Sequence, residues 1–115
     1  IRDAYGTPSY APDLARRLRE LALMDLPGTF HVVNAGDGVS YEEFARAALD
    51  LSGHAATNLE SVEMDSLDRP ALRPRNSRLK CLLSDALGLA PLPSWKDSLS
   101  RFAALDLRSG VAAKG

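Results

Sequence analysis

One cysteine, Cys81, stands alone in 115 residues, so neither an intrachain disulfide nor a cysteine-based zinc site can form within the chain. Histidine is almost as scarce. His31 and His54 have no cysteine or carboxylate at metal-ligand spacing and are expected to be structural or solvated. Aromatic residues make up 6% of the chain and fall at helical spacing, which suits a core rather than base stacking. No apolar run approaches a membrane span, and no basic start followed by an apolar stretch reads as a secretory leader. Charge of one sign is missing as well: fourteen basic against fifteen acidic residues leave a net charge of -1, too little to recruit nucleic acid or anionic membrane. These absences point to a reduced, cytoplasmic protein with no nucleic-acid or membrane partner, in which any basic site is a local patch.

What the chain does have is an ordinary globular composition, 45% hydrophobic and 25% charged, at a length that fits one domain. It opens on Ile1 rather than Met, and Arg2-Asp3-Ala4-Tyr5 reads as the middle of a longer protein. Leu14, Leu18 and Leu21 recur at helical spacing and predict an amphipathic helix from about Tyr10 to Met24. Phe30-His31-Val32-Val33 has strand propensity and predicts a short buried strand, closed by the turn residues Asn34 to Gly38. Ser40 followed by Glu43 is a capping-box pattern, which starts a helix near Tyr41 whose apolar face is Tyr41, Phe44, Ala48 and Leu51. Leu59, Val62 and Met64 predict an irregular second strand. A short helix around Leu82 to Leu87 stops at Gly88. The last helix starts from Ser94, with Trp95, Leu99, Phe102 and Leu105 on one face. The expected fold is α/β: a minimal two- to three-stranded sheet covered by helices, forming one small domain over 1–107 with a frayed tail at 108–115. A sheet that small leaves an apolar face for another domain or a second copy.

The unusual segment runs from Arg69 to Lys80. It holds five basic residues and no acidic one, and leaves the rest of the chain at -6. Guanidinium forks match phosphate oxygens bidentately, so this loop is a candidate anion site. Pro70 and Pro74 fix two backbone angles and lower the entropy lost on ligand binding. Arg73 is the leading candidate, held between Leu72, expected to anchor in the core, and Pro74. Asn76 and Ser77 can donate to phosphate or shape the turn; Arg69, Arg75 and Arg78 are expected to be more dispensable. The alternative is a solvated basic face balancing Asp65, Asp68 and Asp85, or an Arg73 paired structurally with Asp13 or Asp68.

Several stretches together carry a resemblance: Asp3-Ala4-Tyr5-Gly6-Thr7-Pro8-Ser9 leading to Asp13-Leu14-Ala15, Phe30 to Asn34, and Ser40 to Ala45. With Arg73-Pro74-Arg75-Asn76-Ser77-Arg78-Leu79 and Leu92-Pro93-Ser94-Trp95, they resemble the carboxyl-terminal part of dTDP-4-dehydrorhamnose reductases, including an Arg-Pro-x-Asn-Ser-x-Leu signature. The chain departs from that pattern at Ala4, Ser9 and Tyr41, where the family usually has Gln, Thr and Trp.

The resemblance implies the substrate-binding domain of an extended short-chain dehydrogenase/reductase. A missing amino-terminal Rossmann domain would bind NADPH (or NADH), carry the Tyr-x-x-x-Lys pair, and reduce the C4 keto group in dTDP-L-rhamnose biosynthesis. This sequence has no Gly-x-x-Gly-x-x-Gly turn, and none of Tyr5, Tyr10 or Tyr41 is followed by Lys four positions on. The chain alone is thus expected to be inactive, with no catalytic or cofactor-binding residue and no metal. Its implied role is to bind the dTDP-sugar through Arg73, Asn76, Ser77, Arg69 and Arg75. A homodimer is a further candidate assembly. The competing reading is a non-catalytic regulatory or binding subunit on the same fold, as the methionine adenosyltransferase β subunit is similar to this family.

Overall fold

The computed structural model describes residues 1–55 and 58–112, with side chains through Leu105. In chain order the elements are β1 (Tyr5–Gly6), α1 (Ala11–Met24), β2 (Val39–Ser40), α2 (Tyr41–Leu51), a 3-10 turn (Met64–Ser66), α3 (Leu82–Ala86) and α4 (Trp95–Ala112). The expected sheet of two short strands covered by helices is present. Its strands, however, are not the predicted ones.

Phe30 to Val33 forms no ladder. Val33 is buried, but its N–H meets the Cys81 Sγ at 3.4 Å instead of a neighbouring strand, and His31 is exposed. The chain makes its backbone bridge two residues later, at Ala35, which pairs in parallel with Ser94. Leu59 to Met64 likewise forms no strand and ends in the 3-10 turn. The ladder that exists joins β1 to β2 antiparallel, Tyr5 opposite Ser40 and Gly6 opposite Val39, with an added parallel bridge from Tyr5 to Asn76. Propensity looks for branched and aromatic runs, whereas these strands are two residues long and rich in turn formers; tertiary pairing defines them.

The helices lie where their end signals put them. Ser40 Oγ accepts from the Glu43 N–H at 3.1 Å while Glu43 Oε2 accepts from the Ser40 N–H at 2.9 Å, completing the capping box of α2. Ser94 Oγ accepts from the Asp97 N–H at 3.2 Å at the start of α4. The backbone of α4 stays helical to Ala112, past the expected start of the tail at 108; residues 113–115 lie outside the described residues. Among the described residues no helix is long and apolar enough to cross a membrane.

The core is small. Val39, Trp95 and Leu99 are buried together, with Phe44, Ala47 and Ala48 of α2 packed on them and the Phe44 and Trp95 rings 5.9 Å apart. Tyr41 and Leu51, expected on that face, are exposed. The inward face of α1 also differs from its leucine stripe: the buried side chains are Asp13 and Arg17, while Leu18 is exposed and Leu14 and Leu21 are half-buried. The surface that α1 meets is polar, so its charged positions turn inward. Asp13 is 0% exposed. Its Oδ2 accepts from Ser98 Oγ (2.6 Å), Asn34 Nδ2 (2.8 Å) and Arg101 Nη2 (2.6 Å); its Oδ1 accepts from Arg101 Nη1 (3.0 Å) and Arg16. Asn34 Nδ2 also reaches the Pro93 carbonyl at 2.9 Å and its Oδ1 accepts from the Tyr10 N–H at 2.7 Å. This one carboxylate fastens α1, the Asn34 turn and α4 to each other.

Candidate functional site

The cationic segment is laid along the outer edge of β1. The Tyr5 N–H donates to the Arg75 carbonyl at 2.8 Å, and the Tyr5 carbonyl accepts from the Ser77 N–H at 2.9 Å and Ser77 Oγ at 3.2 Å. Leu79 N–H then meets Thr7 Oγ1 at 3.4 Å. An exposed loop is thereby registered by pairing with the backbone of β1.

Two clefts meet at this edge. One, of about 360 Å³, is lined by Tyr41, Met64, Arg69, Arg73, Pro74 and Ser77. The other, of about 490 Å³, is largely apolar, with Pro8, Val32, Val39, Phe44 and Leu79 among its walls and Thr7 and Ser9 at its polar side. Tyr41 and Ser77 line both. A cationic cleft beside an apolar one suits an anion joined to a less polar group.

The five expected site residues separate into three kinds. Arg69 and Arg73 line the cationic cleft and have no carboxylate partner among the described residues; Asp13, one proposed partner of Arg73, is taken by Arg101 and Arg16. Ser77 lines the same cleft. Arg75 is committed elsewhere: its guanidinium bridges Asp3 and Asp65. The Met64 N–H, at 2.7 Å, and then Arg75 hold the Asp3 carboxyl below its usual range; Asp65 and Asp3 in turn push Arg75 above its own. Asn76 Oδ1 accepts from the backbone N–H of Arg78 at 3.2 Å and from its Nε at 2.9 Å, which leaves Nδ2 as the available donor of the amide.

One expectation about this loop needs correction. Leu72 does not anchor in the core; it is fully exposed, in a run from Asp68 to Lys80 whose residues are all exposed. Arg73 therefore owes its placement to Pro74 and the β1 pairing. Arg78, an exposed arginine expected to be more dispensable, makes contacts outside its own loop. Besides Asn76 it reaches the Asp37 carbonyl at 3.2 Å, and its guanidinium lies 5.6 Å from the centre of the Tyr5 ring. Tyr41, read from the sequence only as part of the apolar face of a helix, lines both clefts. The start of a capped helix signals backbone chemistry rather than a cleft wall, and an arginine in a basic run looks like its neighbours until the fold supplies its acceptors.

The chain matches the RmlD substrate binding domain over residues 1–107. It is 34% identical to a dTDP-4-dehydrorhamnose reductase of Streptomyces griseus, across all of this chain and 40% of that protein. It is 31% identical to the dTDP-4-dehydrorhamnose reductase of Mycolicibacterium smegmatis, covering 86% of this chain and 30% of the relative. Among solved structures, the dTDP-4-dehydrorhamnose reductase of Bacillus anthracis in complex with NADP superposes with a TM-score of 0.82 at 31% identity, over 88% of this chain and 35% of that one. The Clostridium acetobutylicum dTDP-4-dehydrorhamnose reductase gives 0.81 at 28% identity, over 91% and 37%. The chain spans 30% to 40% of the length of these relatives. In sequence and in fold, this chain belongs to the RmlD substrate binding domain family.

Proposed function

We propose that this chain is the nucleotide-sugar-binding part of an NADPH-dependent, cytoplasmic dTDP-4-dehydrorhamnose reductase-like enzyme, with Arg73 as its principal anion ligand. The observation that carries the reading is the state of the arginines around the cationic cleft. Arg75 and Arg78 are engaged with protein acceptors, whereas Arg69 and Arg73 face the cleft without a carboxylate. A diphosphate supplies the oxygens that these forks lack. Asn76 Nδ2 adds a neutral donor, the Ser77 hydroxyl, whose proton goes to the Tyr5 carbonyl, shapes the cleft wall, and Arg75 serves as the strut that fixes the loop to Asp3 and Asp65. The apolar cleft beyond Tyr41 and Ser77 takes the less polar portion of the substrate.

On this reading, reduction of the C4 keto group is carried out by residues outside this chain. Its residues present no dinucleotide turn and no Tyr-x-x-x-Lys pair for NADPH. The contribution made here is orientation of the substrate, and such remote binding energy raises turnover by holding the reacting carbonyl in place. The 115-residue chain by itself is accordingly expected neither to bind NADPH in calorimetric titration nor to oxidise it with a dTDP-4-keto sugar. Micromolar binding or measurable turnover would show that the active centre has been misplaced.

In the complete enzyme, Arg73→Ala is expected to raise the KM for the dTDP-sugar about ten- to a hundredfold, the equivalent of roughly 1.5 to 3 kcal/mol for a charge-assisted contact, with NADPH affinity nearly unchanged. If Arg73→Ala instead lowered the melting temperature while the folded fraction bound the sugar nucleotide as wild type, the ligand role would be lost.

A further inference from the structure

We infer that Arg78, which lines neither cleft, is a positioning residue for substrate binding: it fixes the orientation of the Asn76 amide and the edge of β1 from which Ser77 faces the cleft. The inference rests on the binding role proposed for that cleft. One side chain here joins three segments. Arg78 Nε donates to Asn76 Oδ1 at 2.9 Å, its Nη1 donates to the Asp37 carbonyl at 3.2 Å, and its guanidinium lies over Tyr5. Its aliphatic stem fills the space over Gly38, where an added Cβ would come within 2.6 Å of Arg78 Cγ. Tyr5 is in turn the residue whose carbonyl accepts both the N–H and the hydroxyl of Ser77.

The chemical consequence lies in the amide of Asn76. An amide presents a donor on one side and an acceptor on the other, and its hydrogen-bond network decides which is which. With the backbone N–H and the Nε of Arg78 on Oδ1, Nδ2 is the free donor of the amide, next in the chain to the cleft residue Ser77 although Asn76 itself lines neither cleft. Without the Arg78 side chain only the backbone N–H of residue 78, at 3.2 Å, holds the Asn76 oxygen, and the less firmly held amide more often turns that oxygen toward a phosphate, which is repulsive. Lysine cannot substitute: it carries the charge but lacks the planar fork that reaches Asn76 and Asp37 together.

The test uses the complete reductase that carries this chain, with Arg73→Ala measured alongside. Arg78→Ala is expected to raise the KM for the dTDP-sugar about three- to tenfold while kcat and NADPH affinity stay near wild type. Arg78→Lys should resemble Arg78→Ala, and, retaining charge and bulk, it keeps the test available if the alanine variant folds poorly. In a double-mutant cycle, Arg78→Ala combined with Asn76→Ala should lose clearly less than the sum of the two single effects, because part of the Arg78 effect runs through Asn76. An unchanged KM in Arg78→Ala, a wild-type KM in Arg78→Lys, or fully additive effects in the cycle would each overturn the inference. An effect of Arg73→Ala without one of Arg78→Ala overturns this inference alone; an absence of effect in both overturns the binding role of the cleft itself.

Discussion

Asp13→Ala is expected to destabilise the protein by about 3 kcal/mol, a large share of a typical folding free energy. The carboxylate is 0% exposed and accepts from four side chains, so its loss leaves the buried Asn34 and Ser98 without an acceptor they share. Arg101 and Arg16 are partly open to water and recover some solvation, which keeps the effect at the lower end of what a broken buried pair produces. Asp13→Asn keeps an oxygen in place and should lose less.

The pH dependence supplies a second check. Arg101 first, then Ser98 and Asn34, hold the Asp13 carboxyl well below the usual carboxylate range, against the opposing effect of burial. The unfolded chain therefore takes up a proton before the folded one does. The stabilisation is fully present above the unfolded value of about 4 and is lost as the pH falls from there toward the lowered folded value. The stability gap between wild type and Asp13→Asn, read from denaturant titrations, should be widest near neutrality and narrow below pH 4. A gap that does not change with pH, or an alanine variant as stable as wild type, would deny Asp13 this role.

Gly38→Ala is expected to be nearly as disruptive, by about 2 to 4 kcal/mol, with the sheet edge as the point of failure. Gly38 has φ +87°, and the left-handed region alone costs a residue with a Cβ roughly 1 to 2 kcal/mol. The new carbon would also stand 2.9 Å from the Gly6 carbonyl oxygen, a backbone atom fixed by the β1–β2 pairing, and would overlap the stem of Arg78. Relief requires β1 and β2 to separate, and with them Tyr5 and Ser77. Thermal unfolding of the variant, together with its KM for the sugar nucleotide, checks this: both should worsen, and an unshifted melting temperature would contradict the packing described.

The helices were legible because their signals are local. Ser40 with Glu43, Ser94 with Asp97, and Gly88 after α3 announce helix ends within four residues of chain. The strands were not, since Tyr5–Gly6 and Val39–Ser40 exist by pairing with each other and with Asn76, and neither has a sequence pattern of its own. Phe30 to Val33 had the pattern and lacked the partner. In the site, composition located the basic loop and Pro74 singled out Arg73, but separating Arg73 from Arg75 required knowing that Asp3 and Asp65 converge on the latter. Asp13 was visible only as a charged residue beside a leucine stripe, because a buried network assembled from residues 13, 34, 98 and 101 has no short-range signature.

That separation along the chain has a bearing on how the domain is made. Asp13 and Ser98 are 85 residues apart, and Asp13 and Arg101 are 88 apart. Synthesis proceeds from the amino terminus, so α1 leaves the ribosome with Arg16 and then Asn34 as the first partners of Asp13 and meets Ser98 and Arg101 only when nearly the whole domain has been translated. Closing so long a loop is entropically unfavourable, and few apolar contacts are available beforehand to share that burden. Locking of the native arrangement is thus deferred to the last helix, and until then the nascent domain depends on whatever shelters its exposed leucines.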